Sequence, residues 1–385
     1  MMSNRSAVII ILDGLGAGDA PDCFDYGDEN YNTLAHSTDN FKLSLPNFKK
    51  FGLCNLINIP KCQSAASFGL LTPRSKGKST IEGHWEMMGV TTVKPFPTYP
   101  NGFPLDVIEK LQEKTGRKYL WNKPASGTEI INQLGDEHMK TAMPILYTSA
   151  DSVMQISAHE DIISVPELFE ICKVARAIMT GKDSVSRVIA RPFLGKNGSY
   201  YRTSRRRDFC LEIPKPNVLS KLKEAGIAIS GVGRITDLFN EYLDFYDYCT
   251  GITDCIEKTR MYRQRNKGLV FANCEELDML YGHRRDKEGF AQGLMILDKI
   301  WPKLTNSLGN NDLLIVASDH GNDPTCKIHT DHTREYSIFL AYMKGHKGVD
   351  LGVRSSLSDV GATILGFFGL PEEFGESILT KANLL

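Results

Sequence analysis

Short apolar runs rich in β-branched residues alternate along the chain with stretches whose apolar positions recur every three or four residues. Residues 143–147, 187–190, 227–230, 268–273, 313–317 and 338–342 predict strands, and 10–12 ends a further apolar run. Residues 166–179, 289–305 and 358–368 carry helical spacing. Pro166 suits a first helical position, and Ser358 followed by Asp359 makes a helix start. Alternation of this kind predicts an α/β fold with a mainly parallel sheet flanked by helices. Between about residues 97 and 214 the texture changes. Prolines and glycines cluster at 95–104, and basic residues gather at Arg202 and Arg205–Arg207. The segments that carry metal-binding chemistry lie on both sides of this stretch. The expected organisation is therefore a discontinuous core, 1–96 with 215–385, interrupted by a smaller α/β domain over 97–214.

Composition limits the function without directing it. At 385 residues and 42% hydrophobic, the chain can bury a large core and divide into two domains. A net charge of -1 gives no general field for nucleic acid or an anionic membrane, so anion binding must be local. The nine cysteines are odd in number and include no CxxC pair. With no signal-peptide pattern and no apolar run of about 18 residues, they predict reduced thiols in a cytoplasmic protein.

Chemistry enters where apolar runs end. Ile10-Ile11-Leu12 leads into Asp13-Gly14, and the run closing at Ala317 leads into Ser318-Asp319-His320-Gly321-Asn322-Asp323-Pro324, with His332 beyond. The predicted strand 268–273 leads into Asp278 and His283, five residues apart. Parallel α/β sheets place active sites at these carboxyl ends. A lone Asp-Gly after a strand is most often a turn, but an adjacent Asp-His with a later His is much rarer by accident. Asp13, Asp278, His283, Asp319, His320 and His332 supply three carboxylates and three imidazoles, enough for two divalent ions that clamp a transferring phosphoryl group. His329 competes with His332 and ranks below it. His36, His138, His159 and His346 show no convergent partners and read as surface or structural. The segment Lys76-Gly77-Lys78-Ser79-Thr80-Ile81-Glu82-Gly83-His84-Trp85-Glu86 looks like a fragment of a phosphate loop. It lacks the leading glycine and four-residue spacer of GxxxxGK(S/T), which argues against a nucleotide P-loop. A hydroxyl at a helix start is most often an N-cap, yet beside two metals it becomes a nucleophile.

These motifs, in this order, resemble the alkaline phosphatase superfamily and, more narrowly, the phosphopentomutase family. The resemblance runs nearly end to end, through LDGLGAGDAPD (12–22), NTLAH (32–36), GHWEMMG (83–89), NKPASGTEI (122–130), YTSADSVMQISAHE (147–160), RVIARPF (187–193), YGHRRD (281–286) and DHTRE (331–335). It implies that Asp278, His283 and His332 hold one ion. Asp13, Asp319 and His320 would hold the other, with Thr80 completing that shell as the phosphorylated nucleophile. It implies manganese as the ion, a sugar bisphosphate such as glucose 1,6-bisphosphate as activator, and pentose phosphates as substrates. The activity implied is interconversion of ribose or deoxyribose 1- and 5-phosphates in nucleoside breakdown and salvage, by a monomer or small homo-oligomer. The domain at 97–214 would be a cap that binds the sugar phosphate through Ser149, Asp151, Arg187, Arg202 and Arg206. An arginine pair suits the distal phosphate, since the guanidinium fork matches phosphate oxygens. A phosphatase, a phosphoglycerate mutase of the same superfamily and a sugar-phosphate sensor with a degenerate site are the alternative readings. The chain departs from the family pattern at Ser79, where Asp is usual, and at Glu82, where Thr is usual. It also departs at 274–277 and by one extra residue before His332.

Overall fold

The computed structural model describes residues 5–57, 59–149 and 151–384. The chain divides into two compact units, Met1–Lys94 with Ile213–Leu385, and Pro95–Glu212.

The first unit is built on a nine-stranded sheet. Its order is Phe245–Asp247, Ile229–Gly233, Gly268–Cys274, Ser6–Leu12, Asp312–Ala317, Glu335–Tyr342, Ser67–Leu71 and Asp350–Arg354, with Gly16–Asp19 also pairing with Glu335–Tyr342. The five strands from Phe245–Asp247 to Asp312–Ala317 run parallel; Glu335–Tyr342 is antiparallel to its neighbours. Ser6–Leu12, Gly268–Cys274 and Asp312–Ala317 are buried along their whole length, which is why they read as continuous apolar runs and not as alternation. Helices Ile252–Arg265 and Lys287–Ser307 pack on this sheet through Ile252, Cys255, Ile256, Phe290, Leu294, Leu297 and Trp301. In register, Ile11 lies opposite Ala317 on one side and Asn273 on the other. Asp13, the segment after Cys274, and Ser318-Asp319 therefore leave the sheet at one edge.

Several predicted strands change limits: 143–147 is Ile145–Thr148 and 338–342 is Glu335–Tyr342, and two further changes have an evident physical reason. The strand expected at 227–230 is Ile229–Gly233. Ile227 is spent closing the helix Val218–Glu224, its N–H donating to the Leu222 carbonyl at 2.9 Å. The strand expected at 187–190 continues to Lys196 through Pro192. One flank of that strand pairs with Arg207–Cys210 as far as Ala190 and with Ser199–Arg202 from Phe193. Pro192 sits in the gap between partners, where the missing N–H costs no ladder bond.

The second unit carries a six-stranded mixed sheet, Leu120–Pro124, Ile145–Thr148, Val153–His159, Arg187–Lys196 and Ser199–Arg202, with Arg207–Cys210 added to Arg187–Lys196. Alternate residues serve opposite faces. Leu146, Met154, Ile156 and Val188 pack with helices Leu105–Thr115 and Val165–Ile178, whereas Ile145, Tyr147 and Phe193 pack with Gly127–Thr141. His138 and His159 belong to this core: the His159 N–H donates to His138 Nε2 at 2.8 Å, and His138 Nδ1 meets the Met143 carbonyl at 2.8 Å.

Candidate active site

Thr80 opens the helix Thr80–Met87, and Ser79 precedes it as the cap residue. Glu82 takes the third helical position and its carboxylate accepts the Ser79 N–H at 3.1 Å, the returning arm of a capping box. Ser79 takes the cap position through its backbone, its carbonyl accepting the Glu82 N–H at 3.1 Å, and the Thr80 hydroxyl points elsewhere: Thr80 Oγ1 lies 3.2 Å from His320 Nε2. The helix approaches the Asp319 strand end so closely that a Cβ at Gly83 would stand 2.3 Å from the Asp319 carbonyl oxygen. Only glycine lets the hydroxyl-bearing helix reach this sheet edge.

Around Thr80 the structure gathers Asp13, Asp319 and His320. His320 Nε2 lies 3.2 Å from Asp319 Oδ2 and 3.4 Å from Asp13 Oδ1. A second group follows across the His320 ring, which stacks on His332 with centroids 3.8 Å apart. Asp278 Oδ1 is 3.6 Å from His332 Nε2 and Asp278 Oδ2 is 3.3 Å from His283 Nε2, while the two imidazole Nε2 atoms are 3.2 Å apart. Asp278 lies in a π-helical turn, Leu277–Gly282, that His283 closes, and the five-residue spacing brings both side chains to one side.

Burial sets the electrostatics. Desolvation and the neighbouring Asp319 and Asp278 push the Asp13 carboxyl well above the ordinary range, against the pull of Arg234 and an Asn273 hydrogen bond. Burial also opposes ionisation of Asp278, but His283, His332 and His320 outweigh it and hold the carboxyl well below the usual value. Asp319 is likewise drawn down to about 2 against burial, by His320 and His84. His332 falls to about 4, first through burial and then through His320. Asp13 Oδ1 is buried without a hydrogen-bond partner among the described residues, and Asp319 Oδ2 meets imidazole nitrogens at ion-pair distance, His320 Nε2 at 3.2 Å and His84 Nδ1 at 3.4 Å. Carboxylate oxygens facing each other across imidazoles are a donor set suited to hard or borderline divalent cations. Asp13, Asp319 and His320 are close enough to share one ion; Asp278, His320 and His332 form a second such group.

Three side chains that the sequence alone does not single out orient these carboxylates. Asn273 Nδ2 donates to Asp13 Oδ2 at 2.9 Å, Asn322 Nδ2 donates to Asp278 Oδ1 at 2.7 Å, and His84 Nδ1 lies 3.4 Å from Asp319 Oδ2. Each sits close to a ligand or inside a motif, but only the fold shows its partner. His36, expected to lack a partner, has one: its Nδ1 lies 2.5 Å from Asp323 Oδ2, because Asn32–His36 packs against the Asp323 loop. His329 stays outside the cluster, bonded to Asp28 at 2.7 Å.

The other expected residues lie in the second unit. Arg187 is buried between Asp208, at 3.4 Å, and Asp151, at 3.6 Å. Arg206 forks onto Asp208 with bonds of 2.7 and 2.6 Å, and Arg202 Nη2 donates to Tyr147 Oη at 3.0 Å. Ser149 follows the strand Ile145–Thr148, half-buried, and Thr148 Oγ1 bonds its carbonyl at 3.4 Å. The basic run is solvated only in part: Arg205 is exposed and pairs with Glu160, whereas Arg207 lies over the Phe169 and Phe209 rings. Arg191 also belongs to this cluster. Burial, then Arg206 and Arg202 nearby, hold its guanidinium well below the ordinary value.

A buried cluster of carboxylates and imidazoles at strand ends, with a hydroxyl at a helix start, defines a metal-dependent enzyme site. The Metalloenzyme superfamily model matches residues 5–372. Phosphopentomutases are similar along nearly the whole chain. That of Clostridium kluyveri is 47% identical over 374 residues, covering 93% of this chain and 94% of its own. That of Caldanaerobacter subterraneus subsp. tengcongensis is 44% identical over 391 residues, covering 99% and 98%. The PH0037 protein of Pyrococcus horikoshii shares the fold at 12% identity, with a TM-score of 0.52 over 97% of this chain and all of that one. The chain belongs to the Metalloenzyme superfamily and, within it, to the phosphopentomutase family of isomerases.

Proposed function

We propose that this chain moves a phosphoryl group between C1 and C5 of ribose or deoxyribose phosphate, through phospho-Thr80 and a sugar bisphosphate. The observation that carries this reading is the Thr80 hydroxyl, which is buried at the first turn of its helix and aimed at the Asp13, Asp319 and His320 cluster. A phosphoryl group on Thr80 Oγ1 would sit at the N-terminal end of the helix, a place that favours anions. Phospho-Thr80 would donate to the free hydroxyl of the sugar phosphate: the P–Oγ1 bond breaks and a P–O bond to the sugar forms. The bisphosphate then reorients, and its other phosphoryl group returns to Thr80. A sugar bisphosphate such as glucose 1,6-bisphosphate would prime Thr80 at the start.

Asp278, His283 and His332 would hold one divalent ion. Asp13, Asp319, His320 and Thr80 would hold the other. Bound there, two such ions, for which manganese is our assignment, would neutralise charge on the transferring oxygens. The chain's own contribution is to keep three carboxylates fixed in a dry site by Asn273, Asn322 and His84. Ser149, Asp151, Arg187, Arg202 and Arg206 are assigned to the sugar phosphate. Among the described residues no helix is long and apolar enough to cross a membrane, and we place the enzyme in the cytoplasm, where nine cysteines without a CxxC pair would stay reduced.

The test is direct. Metal-loaded protein is incubated with ribose 1-phosphate and a bisphosphate primer, and both sugar phosphates are followed by phosphorus NMR. Conversion to ribose 5-phosphate is expected; release of inorganic phosphate as the main product would overturn the reading.

A further inference from the structure

We propose that the Asn273 amide fixes the His84 ring in the tautomer with its proton on Nδ1, and that this ring holds Asp319 and the Thr80 backbone in register with Asp13. The proposal rests on the reading of Thr80, Asp13 and Asp319 as the reactive centre, and it names two positioning residues for it.

The argument starts from what each neighbour can do. His84 Nδ1 lies 2.8 Å from the Thr80 carbonyl oxygen, which can only accept, so Nδ1 carries a proton. The same nitrogen is 3.4 Å from Asp319 Oδ2, also acceptor-only when ionised. At the opposite end of the ring, His84 Nε2 faces Asn273 Nδ2 at 3.3 Å. The orientation of that amide is set by Asp13, whose Oδ2 lies 2.9 Å from the same Nδ2 and, ionised as a metal ligand must be, requires a donor there. One amide N–H serves Asp13, and the other meets a lone pair on His84 Nε2. Two independent constraints, a carbonyl at one end and an oriented amide at the other, thus select the same tautomer.

The ring cannot evade this arrangement. It is fully buried, lies nearly parallel to Phe271 at 6.0 Å and borders Phe239 at 6.5 Å. Asn273 is pinned as a strand residue in register with Ile11 and Gly233. The result is one connected set: Asn273 donates to Asp13 and to His84 Nε2, and His84 Nδ1 donates to the carbonyl of the helix residue that bears the hydroxyl, with Asp319 Oδ2 beside it at 3.4 Å. A shift in any member moves the two carboxylates and Thr80 relative to one another.

Three measurements test this. In full-length protein labelled with nitrogen-15 histidine, long-range proton–nitrogen correlation should show a pyrrole-type Nδ1 for His84, assigned by its contacts to Phe271; a proton on Nε2 overturns the proposal. Asn273→Asp replaces the second N–H by an acceptor, so Nε2 should gain a proton beside the one that the Thr80 carbonyl keeps on Nδ1, and an Nε2 that stays unprotonated would show that Asn273 does not set the tautomer. Asparagine offers its amide N–H near the Nδ1 position and glutamine near Nε2. His84→Asn should therefore retain about tenfold more turnover than His84→Gln, whereas equal or reversed activities overturn the assignment. The wild-type tautomer is read without substrate, so an Nδ1-protonated ring in a protein with no mutase turnover would reject the function and still support the positioning role.

Discussion

At Thr80 the neighbouring residues explain how one hydroxyl is spared for chemistry. In an S-x-x-E pair the serine and glutamate satisfy the helix start between them. Ser79 and Glu82, both departures from the family pattern, are therefore one coupled change. Gly77 is part of it, since a Cβ there would fall 1.8 Å from the Glu82 carboxylate oxygens. Ser79→Asp alone would set a second carboxylate beside Glu82. The coupling predicts that Ser79→Asp combined with Glu82→Thr is tolerated better than either single change, read as retained turnover. Thr80→Ala should abolish turnover with the fold intact, and Thr80→Ser should keep part of it. Intact-mass analysis after priming should show one added phosphoryl group on the wild type and none on Thr80→Ala; a full load on Thr80→Ala would reject the nucleophile. For the carboxylates, Asp278→Ala and Asp319→Ala should each lose about one ion, because the first leaves only two imidazoles and the second one carboxylate, one imidazole and a hydroxyl, sets too weak for a hard divalent cation. Metal analysis of the purified variants decides this, and unchanged stoichiometry would mean the ligands are misplaced.

At the scale of elements, the loops at the strand ends depend on a buried carboxyl. Glu335 accepts the Thr33 N–H at 2.8 Å and the hydroxyls of Thr33 and Thr333 at 2.7 and 2.6 Å, tying the first loop to the one that carries His332. Burial, then Asp323, raise its pKa from 4.5 to about 7. The folded state thus binds this proton more tightly than the unfolded chain. Its contribution is fully present below pH 4.5 and is lost as pH rises through about 7. Glu335→Gln removes that loss, since the amide oxygen can still accept the Thr33 N–H and its nitrogen can donate to the hydroxyls. Between pH 5 and 8 the wild type should lose about 3 kcal/mol more stability than Glu335→Gln, measured by denaturant unfolding; parallel curves would contradict the ionisation. Strand cores were legible here because full burial writes an apolar run, and the carboxylates and imidazoles that gather at the strand ends were legible because they follow those runs. Strand limits at 227–230 and 187–190 were not, since a turn bond at Ile227 and a change of partner at Pro192 are decided by other segments. The partners of Asn273, Asn322, His84 and His36 were invisible for the same reason: each meets its partner only across the fold.

For the whole molecule, the change in texture over 97–214 and the compact unit Pro95–Glu212 concern one inserted segment with its own sheet and its own two cores. Its arginines frame the last prediction, which separates a mutase from a phosphatase. Both would share the phosphothreonine step and differ in what accepts the phosphoryl group, so a mutase must hold a sugar acceptor and exclude water. Isomerisation should therefore far outrun phosphate release. Arg202 is held by Tyr147, and Arg206 by Asp208, on which its Nε and Nη2 fork closes. Arg202→Ala and Arg206→Ala should each weaken use of the sugar phosphate by about 1.5 to 3 kcal/mol, as for a charge-assisted bond removed from a desolvated site. Asp208 keeps Arg187 as a partner at 3.4 Å when Arg206 is truncated, so the variant should still fold. Hydrolysis of a small generic phosphoester should change little, because it offers no distal phosphate to grip. The measurement is the ratio of isomerised sugar to free phosphate in wild type and both variants. A wild type that mainly releases phosphate would sink the mutase reading, whereas arginine variants with unaltered sugar kinetics would sink only the assignment of the distal phosphate to these two side chains.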